Sequence, residues 1–373
     1  MIDRTLENII AEKAFKKRTT IISGPRQTGK SALVDSILSK SRRKSVLIDA
    51  GDPMIKSQLE NLNIEAIKRI LGRTKLLVID EAQKVTNIES VYKLINKTLP
   101  NVRVIIISTL NPNKNGNNSI SNDVNSYELY PISYNELTEN IGRDGARSQL
   151  KHRLIYGMYP KVISSKTPEK RNLIEIINNH LYKDILETDG IRKPSIIIKL
   201  LKKLALQVGK EINLAELSDL MDIDRKTIDN YISKLEEAYV IFRLQPLKRN
   251  LKNEIGKFHK IYFYDNGIRN ALLSAFNPID LRNDADALWE NFLMSERIKQ
   301  QNYSQNSSNK FFWRTHARQE INYIEEEENS FSAYDFNWSS KRKTKFPKTF
   351  INNYPTLKEK IITPVNYYDF IIN

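Results

Sequence analysis

The chain has 373 residues, with 59 Lys and Arg against 44 Asp and Glu, for a net charge of +15. Hydrophobic residues make up 40% and charged residues 28%, a balance that excludes a disordered or fibrous chain and suits a globular protein of two or three domains. Cysteine is absent, which excludes disulfides and cysteine-ligated zinc and predicts a reducing, cytoplasmic setting.

The basic excess points to nucleic acid or another acidic partner, and Lys- and Asn-heavy usage set by genomic base composition accounts for it equally well. The four histidines, His152, His180, His259 and His316, have no metal-ligand spacing and read as structural or surface residues. No apolar run approaches the roughly 20 residues of a membrane span, so no membrane association is expected. The first segment, "MIDRTLENIIAEKAF", reads as an amphipathic helix whose acids set it apart from a signal peptide.

"TTIIS" follows as a buried strand and leads into "GPRQTGKS", Gly24, Pro25, Arg26, Gln27, Thr28, Gly29, Lys30 and Ser31. This is the phosphate-binding loop spacing, and "SALVDSIL" after it has helical periodicity. Glycines let the backbone curl so that its N–H groups face a polyphosphate, and the helix N-terminus adds a positive dipole end. Lys30 is expected to reach the β- and γ-phosphates, and Ser31 to hold Mg²⁺.

"KSVLIDA" is the next strand, and "KLLVIDEAQKV" carries an apolar strand, Leu76–Ile79, ending in Asp80 and Glu81. Asp80 fits a Mg²⁺ contact, usually through water, and Glu81 fits the group that polarises the attacking water. A third apolar strand, "VRVIIIS", ends near Ser108, Thr109 and Asn111. One of these senses a γ-phosphate, or all three belong to a polar turn. Residues 109–126, rich in Asn, Ser and Gly, read as a long mobile loop before "YELYPIS". Strands alternating with helices imply a parallel sheet covered on both faces, hence an open α/β domain over residues 1–140.

From about 150 to 250 the pattern turns helical. Helices at Leu214–Met221 and Lys226–Glu237 around a "DID" turn make a helix-turn-helix, with a strand and basic wing after it. Arg225, Lys226, Thr227, Asp229, Asn230 and Lys234 fall at or near the exposed face of the second helix, where DNA contact through residues 214–250 would occur. Such units also serve as packing modules. Residues 255–373 mix strands with a helix at Leu288–Lys299. Within them "IEEEEN" (residues 324–329) reads as a solvated hairpin turn and "KRKTKFPK" (341–348) as a phosphate-contacting or simply solvated basic run.

"GPRQTGKS", "LLVIDEAQKV" and "ELYPISYNEL", followed by "GMYPKVI", "YKDILE", "KIYFYDNGIRNAL", "LWENFLMSE" and "FFWRT…QEINYI", resemble prokaryotic AAA-type ATPases with a C-terminal domain of unknown function. The resemblance spans nearly the whole chain. It implies an AAA+-like P-loop ATPase domain, a winged helix-turn-helix, and an α+β fold similar to PD-(D/E)xK (restriction-endonuclease-like) nucleases. Two departures stand out. The family's Gly-Arg pair before "YELYP" is missing, since the nearest residues are Asn122 and Asp123, so turnover is expected to be slow or to depend on an arginine elsewhere. The nuclease-like third offers Glu290, Asn322, Asp335 and Asn337 where the resemblance implies Glu, Asp and a Glu-x-Lys. Asn322 lacks the charge that binds metal, Asn337 cannot replace the lysine, and Lys341 is too far along the strand. A degenerate nuclease-like domain is expected.

The sequence therefore predicts an ATP-binding protein that acts as a slow Mg²⁺-dependent ATPase. In this reading the γ-phosphate orders the 109–126 loop and changes how the C-terminal modules meet an unidentified protein partner. The alternative is a DNA-binding winged-helix protein with regulatory ATP, and active nuclease chemistry is the least favoured reading.

Overall fold

The computed structural model describes residues 2–13, 15–41, 43–110, 123–182, 194–247, 258–306, 308–328, 330–339, 345–354 and 356–372. They form two compact units, Met1–Ile132 with Glu237–Tyr239, and Ser133–Glu236 with Val240–Asn373.

The first unit is built on five parallel strands, β1 (Thr19–Ser23), β2 (Val46–Asp49), β3 (Leu76–Asp80), β4 (Arg103–Ser108) and β5 (Val124–Glu128), in the order β2-β3-β4-β1-β5. Central strands covered on both faces are buried along their length, β1 at all five positions, its Thr19, Thr20 and Ser23 included, and β4 at five of six. The cover comes from α1 (Thr5–Lys13), α2 (Lys30–Ser41), α3 (Pro53–Glu60), α4 (Ile64–Leu71) and α5 (Ile88–Thr98). Ile67 and Leu71 of α4 and Val91 and Ile95 of α5 join Leu77, Ile79, Val104 and Ile106 of the sheet in one core. Three of these helices start where a polar side chain takes an otherwise unpaired N–H: Asp52 caps α3, Asn63 caps α4 and Asn87 caps α5. The strands end together in polar residues, with Ser23 paired to Ser108 and Asp49 to Asp80 in register. Ligands of open α/β sheets bind outside these carboxyl ends.

The expected loop at 109–126 is corrected at one end: Val124–Ser126 belong to β5, paired in parallel with β1. Its middle, residues 111–122 with Asn111 and Asn122, lies outside the described residues.

The second unit begins with α6 (Tyr134–Ile141), held by a capping box of Ser133 and Glu136, then α7 (Arg143–Tyr156), α8 (Pro160–Ser164) and α9 (Glu169–Ile176). Next come α10 (Pro194–Leu206), β6 (Glu211–Ile212), α11 (Leu214–Met221), α12 (Arg225–Glu237), β7 (Ile241–Pro246) and β8 (His259–Phe263). β6 and β7 both pair antiparallel with β8, so α11 and α12, the expected helix-turn-helix, lie in sequence between two strands that flank β8. Of the expected strand and basic wing, "YVIFRLQPLKRN", β7 is the strand, and residues 248–250 lie outside the described residues. α13 (Asn266–Leu272), buried at every position, and α14 (Ala285–Tyr303) follow. The chain ends in β9 (Asn309–Arg314), β10 (Glu320–Glu327), β11 (Ser330–Phe336), α15 (Lys348–Asn353), β12 (Thr356–Ile362) and α16 (Tyr367–Ile372).

β7 pairs in parallel with β9 through Gln245–Phe311 and Pro246–Phe312. One seven-stranded sheet, β12-β11-β10-β9-β7-β8-β6, thus joins β6, β7 and β8 to the C-terminal strands.

The "IEEEEN" segment is a hairpin, but its acids are not all solvated. Glu325 and Glu326 are buried, and Glu325 takes two hydrogen bonds from Arg297 of α14 at 2.6 and 2.8 Å. A carboxylate on the inner face of β10 is retained there because a guanidinium pairs with it. Of the basic run, Lys341–Thr344 lie outside the described residues.

Candidate functional site

At the carboxyl end of β1 the chain turns through Gly24 (φ 144°), Gln27 (φ 62°) and Gly29 (φ 92°) into α2. Gly24 is there by necessity, since a Cβ would lie 2.2 Å from the carbonyl oxygen of Leu129. Leu129 continues β5, its N–H donating to Ser23 O at 2.7 Å, so the "ELYP" segment forms one wall of the loop. Arg4, just before α1, joins loop and wall: its guanidinium donates to Thr28 O at 2.6 Å and Tyr130 O at 2.7 Å. Inside the loop Thr28 Oγ1 donates to Pro25 O at 2.9 Å. At the base Ser23 Oγ lies 2.7 Å from the hydroxyl of Tyr239, which also donates to Glu128.

Lys30 is buried and curls over the loop, donating to Gly24 O and Pro25 O, each at 2.8 Å. Ser31 Oγ donates to Asp80 Oδ2 at 3.0 Å, and the other Asp80 oxygen accepts the N–H of Glu81 at 2.7 Å. Neighbouring oxygens of one Mg²⁺ shell also lie about 3 Å apart, given ligand distances near 2.1 Å and right angles between them. The glycine cradle, the lysine across it and this oxygen pair fit a Mg²⁺-bound polyphosphate. The structure thus brings together all the expected loop residues with Asp80 and Glu81, and leaves Asn111 outside the described residues.

Glu81 is the unexpected part. Its backbone is left-handed, φ 51°, and Arg26 grips its carboxylate with two hydrogen bonds, 3.2 Å to Oε1 and 2.9 Å to Oε2. Gln83 Nε2 donates to Glu81 Oε2 at 2.7 Å, while Gln83 Oε1 accepts the N–H of Thr109 at 3.0 Å. Ser108 Oγ accepts from Leu110 N at 3.2 Å and closes a local turn. Sequence reasoning missed Arg4 and Gln83. The only signal for Gln83 was its place two residues after Glu81, and Arg4 had none.

In the second unit Arg225, Lys226 and Asn230 of α12 are exposed, whereas Asp229 is taken up by Arg243 at 2.6 Å and Thr227 by Asp224. The nuclease-like residues Glu290 and Asn322 do meet: Asn322 Nδ2 donates to Glu290 Oε2 at 3.0 Å, and Phe336 N–H donates to Asn322 Oδ1. Glu290 also meets a cation from the chain itself. Lys260 of β8, fully buried, lies 3.2 Å from Glu290 and 2.7 Å from Glu320, and Tyr262 donates to Glu290 at 2.6 Å. Burial alone would lower the Lys260 pKa, and the two carboxylates outweigh it, so the ammonium titrates above its ordinary value. The signal for this pair was the alternation in "HKIYF", which puts Lys260 and Tyr262 on one face. Among the described residues no cluster of three or more His, Cys, Asp or Glu is placed to hold a metal.

A parallel sheet of this order, with a glycine loop between β1 and α2 and an acid pair ending β3, defines a P-loop nucleotide-binding fold. Residues 16–138 match the AAA domain family, 147–278 a domain of unknown function (DUF8612), and 285–368 another (DUF4143). Residues 16–138 accordingly carry an AAA-type ATPase domain, and the chain after it carries regions that match domains of unknown function. It is 23% identical over 277 residues to an uncharacterized protein of Haemophilus influenzae, covering 67% of this chain and 68% of that one. Among solved structures it is similar to the Walker-type ATPase PABY2304 of Pyrococcus abyssi, at 14% identity and TM-score 0.49, covering 73% of this chain and 96% of that one. It is also similar to the Thermotoga maritima RuvB Holliday junction branch migration motor, at 15% identity and TM-score 0.35, over 65% of this chain and 90% of that one. No described helix is long and apolar enough to cross a membrane.

Proposed function

We propose that the chain binds ATP with Mg²⁺ and hydrolyses it slowly, and that its nucleotide state governs how the C-terminal half engages a protein partner. The observation that carries this reading is the pairing of Ser31 with Asp80 at 3.0 Å beside Lys30, folded over the glycine loop. In this reading the loop amides and Lys30 hold the phosphates, and Ser31 and Asp80 hold Mg²⁺, which supplies charge neutralisation at the phosphate oxygens. Glu81, next to Asp80, polarises the attacking water and accepts its proton. Thr109, tied to Gln83, stands where a change at the phosphates reaches the segment that follows β4.

The test is calorimetric titration of the full chain with Mg·ATP. The parent is expected to bind and the Lys30→Ala variant to lose binding or retain it only weakly. Binding by Lys30→Ala with the parent's affinity would sink the assignment.

A second reading rests on Arg225, Lys226 and Asn230, all exposed on α12 behind a helix-turn-helix turn. In that reading the helix enters a DNA groove, the backing strands make a winged helix, and ATP binding regulates the contact.

A further inference from the structure

The geometry points to Arg26 as the missing catalytic arginine, supplied by the phosphate loop itself. We propose that it exchanges partners when a γ-phosphate arrives, leaving the Glu81 carboxylate for the phosphate oxygens. This deepens the nucleotide reading above and rests on it.

Three observations converge. First, Arg26 lies within the loop, between Pro25 and the left-handed Gln27, and its two N–H groups hold Glu81 at 3.2 and 2.9 Å. A guanidinium fork suits a phosphate as well as a carboxylate, so the same donors serve both partners. Second, the pair is neither sealed nor loose. The Arg26 and Glu81 side chains are 22% and 29% exposed, enough to let the pair open, while Gln83 and the left-handed backbone keep Glu81 in place when it does. Third, the described residues just before the "ELYP" wall, 123–126, include no arginine, whereas Arg26 stands in the loop beside the acid that would polarise water.

Charge decides the direction of exchange. A terminal phosphate carries more negative charge than one carboxylate and three acceptor oxygens, so it outcompetes Glu81 for the guanidinium. In ADP the terminal phosphate is the β-phosphate, which in this reading the loop amides and Lys30 already hold, so no γ-phosphate competes for Arg26. One side-chain movement then does two things: it uncovers the carboxylate that polarises water, and it places a cation where charge develops as the bond to the β–γ bridging oxygen breaks. Without a γ-phosphate Glu81 stays covered and the site is silent.

The exchange is a linkage, so it can be read at equilibrium. ADP and the non-hydrolysable β,γ-imido analogue of ATP are titrated, with Mg²⁺, into the full-length parent, Arg26→Ala, Glu81→Gln and the double variant. Neutralising Glu81 removes the competitor, so Glu81→Gln is expected to tighten the analogue about tenfold and to leave ADP within about twofold. In the Arg26→Ala background the same change is expected to do nothing to either nucleotide. Arg26→Ala alone is expected to weaken the analogue and not ADP, and to lower ATP turnover at least about tenfold. Arg26→Lys should restore part of the analogue binding and little of the turnover.

Equal tightening by Glu81→Gln with and without Arg26 would overturn the proposal. So would an Arg26→Ala variant that hydrolyses ATP as fast as the parent or faster. Tight ADP binding by the parent, lost in Lys30→Ala, keeps these failures distinct from a failure of the nucleotide reading. A parent that binds neither nucleotide ends both.

Discussion

Lys260 Nζ stands 3.2 Å from Glu290 Oε1, so the carboxylate expected to hold a divalent metal already has a cation from its own chain. Glu320 takes the same ammonium at 2.7 Å, and Asn322 fills the other Glu290 oxygen with an N–H. An ion would have to displace a buried, paired lysine and would find an amide where a second anionic ligand is needed. No cleavage of single- or double-stranded DNA or of RNA is therefore expected, in Mg²⁺ or in Mn²⁺. Cleavage by the parent that disappears in Glu290→Ala, Asp335→Ala would refute this.

The same pair sets a stability prediction. Lys260→Met leaves Glu290 with no cation in a largely buried place, and breaking one side of a buried pair typically costs about 3–5 kcal/mol. Glu320, whose side chain is 35% exposed, can turn to water, so the lower end is expected here. Urea unfolding of the parent and variant measures it, and adding Glu290→Gln should recover part of the loss. A change below about 1 kcal/mol would mean the lysine matters little, as at a surface pair.

Ser31 and Asp80 touch through one hydrogen bond, which makes the metal dependence of nucleotide affinity the property to test. In the parent Mg²⁺ is expected to tighten ATP, and in Ser31→Ala most of that gain should vanish while affinity in EDTA stays the same. A tenfold loss corresponds to about 1.4 kcal/mol. If EDTA affinity falls by the same factor, the hydroxyl serves the loop and not the ion.

For the α12 reading, each lysine or arginine lost from a phosphate contact flattens the plot of log affinity against log salt by about 0.9. Arg225→Ala with Lys226→Ala should reduce the slope for duplex DNA by up to about two. A parent that binds no duplex at low salt ends this reading.

The loop and the strands around it could be read from sequence because their signals are local. Gly24 and Gly29 sit where the backbone needs positive φ, and β1, β3 and β4, rich in β-branched and apolar residues, are buried at nearly every position because both faces are covered. Partnerships across the sheet could not be read that way. Arg26 and Glu81 are 55 residues apart, Lys260 and Glu290 are 30 apart, and Glu325 meets Arg297 from 28 positions away. A charged residue in a strand looks solvated until the element opposite it is known. Glu325 reads as solvated for that reason, and Lys260 reads as a single polar residue inside an apolar strand.

The last prediction concerns acid stability and follows from Asp284, which ends the turn before α14. Arg269, buried on α13, lies 2.6 Å from its Oδ2, and Arg282 lies 2.8 Å from its Oδ1. Burial alone would raise the Asp284 pKa, but the hydrogen bonds and charges of Arg282 and Arg269 outweigh it, and the carboxyl is pushed down to about 2. An unfolded aspartate titrates near 3.9, so the unfolded chain takes up this proton first as pH falls. The contribution of Asp284 is therefore complete above about pH 4 and is lost as pH falls through about 2. Asp284→Asn removes the charge at every pH and leaves Arg269 with a weaker partner. The variant should unfold at lower urea than the parent at pH 5, and the gap between their midpoints should narrow at pH 3 and nearly close at pH 2. A gap of constant size across this range would show that the carboxylate acts by its shape and hydrogen bonds alone, and that its charge contributes nothing to holding α13 and α14 together.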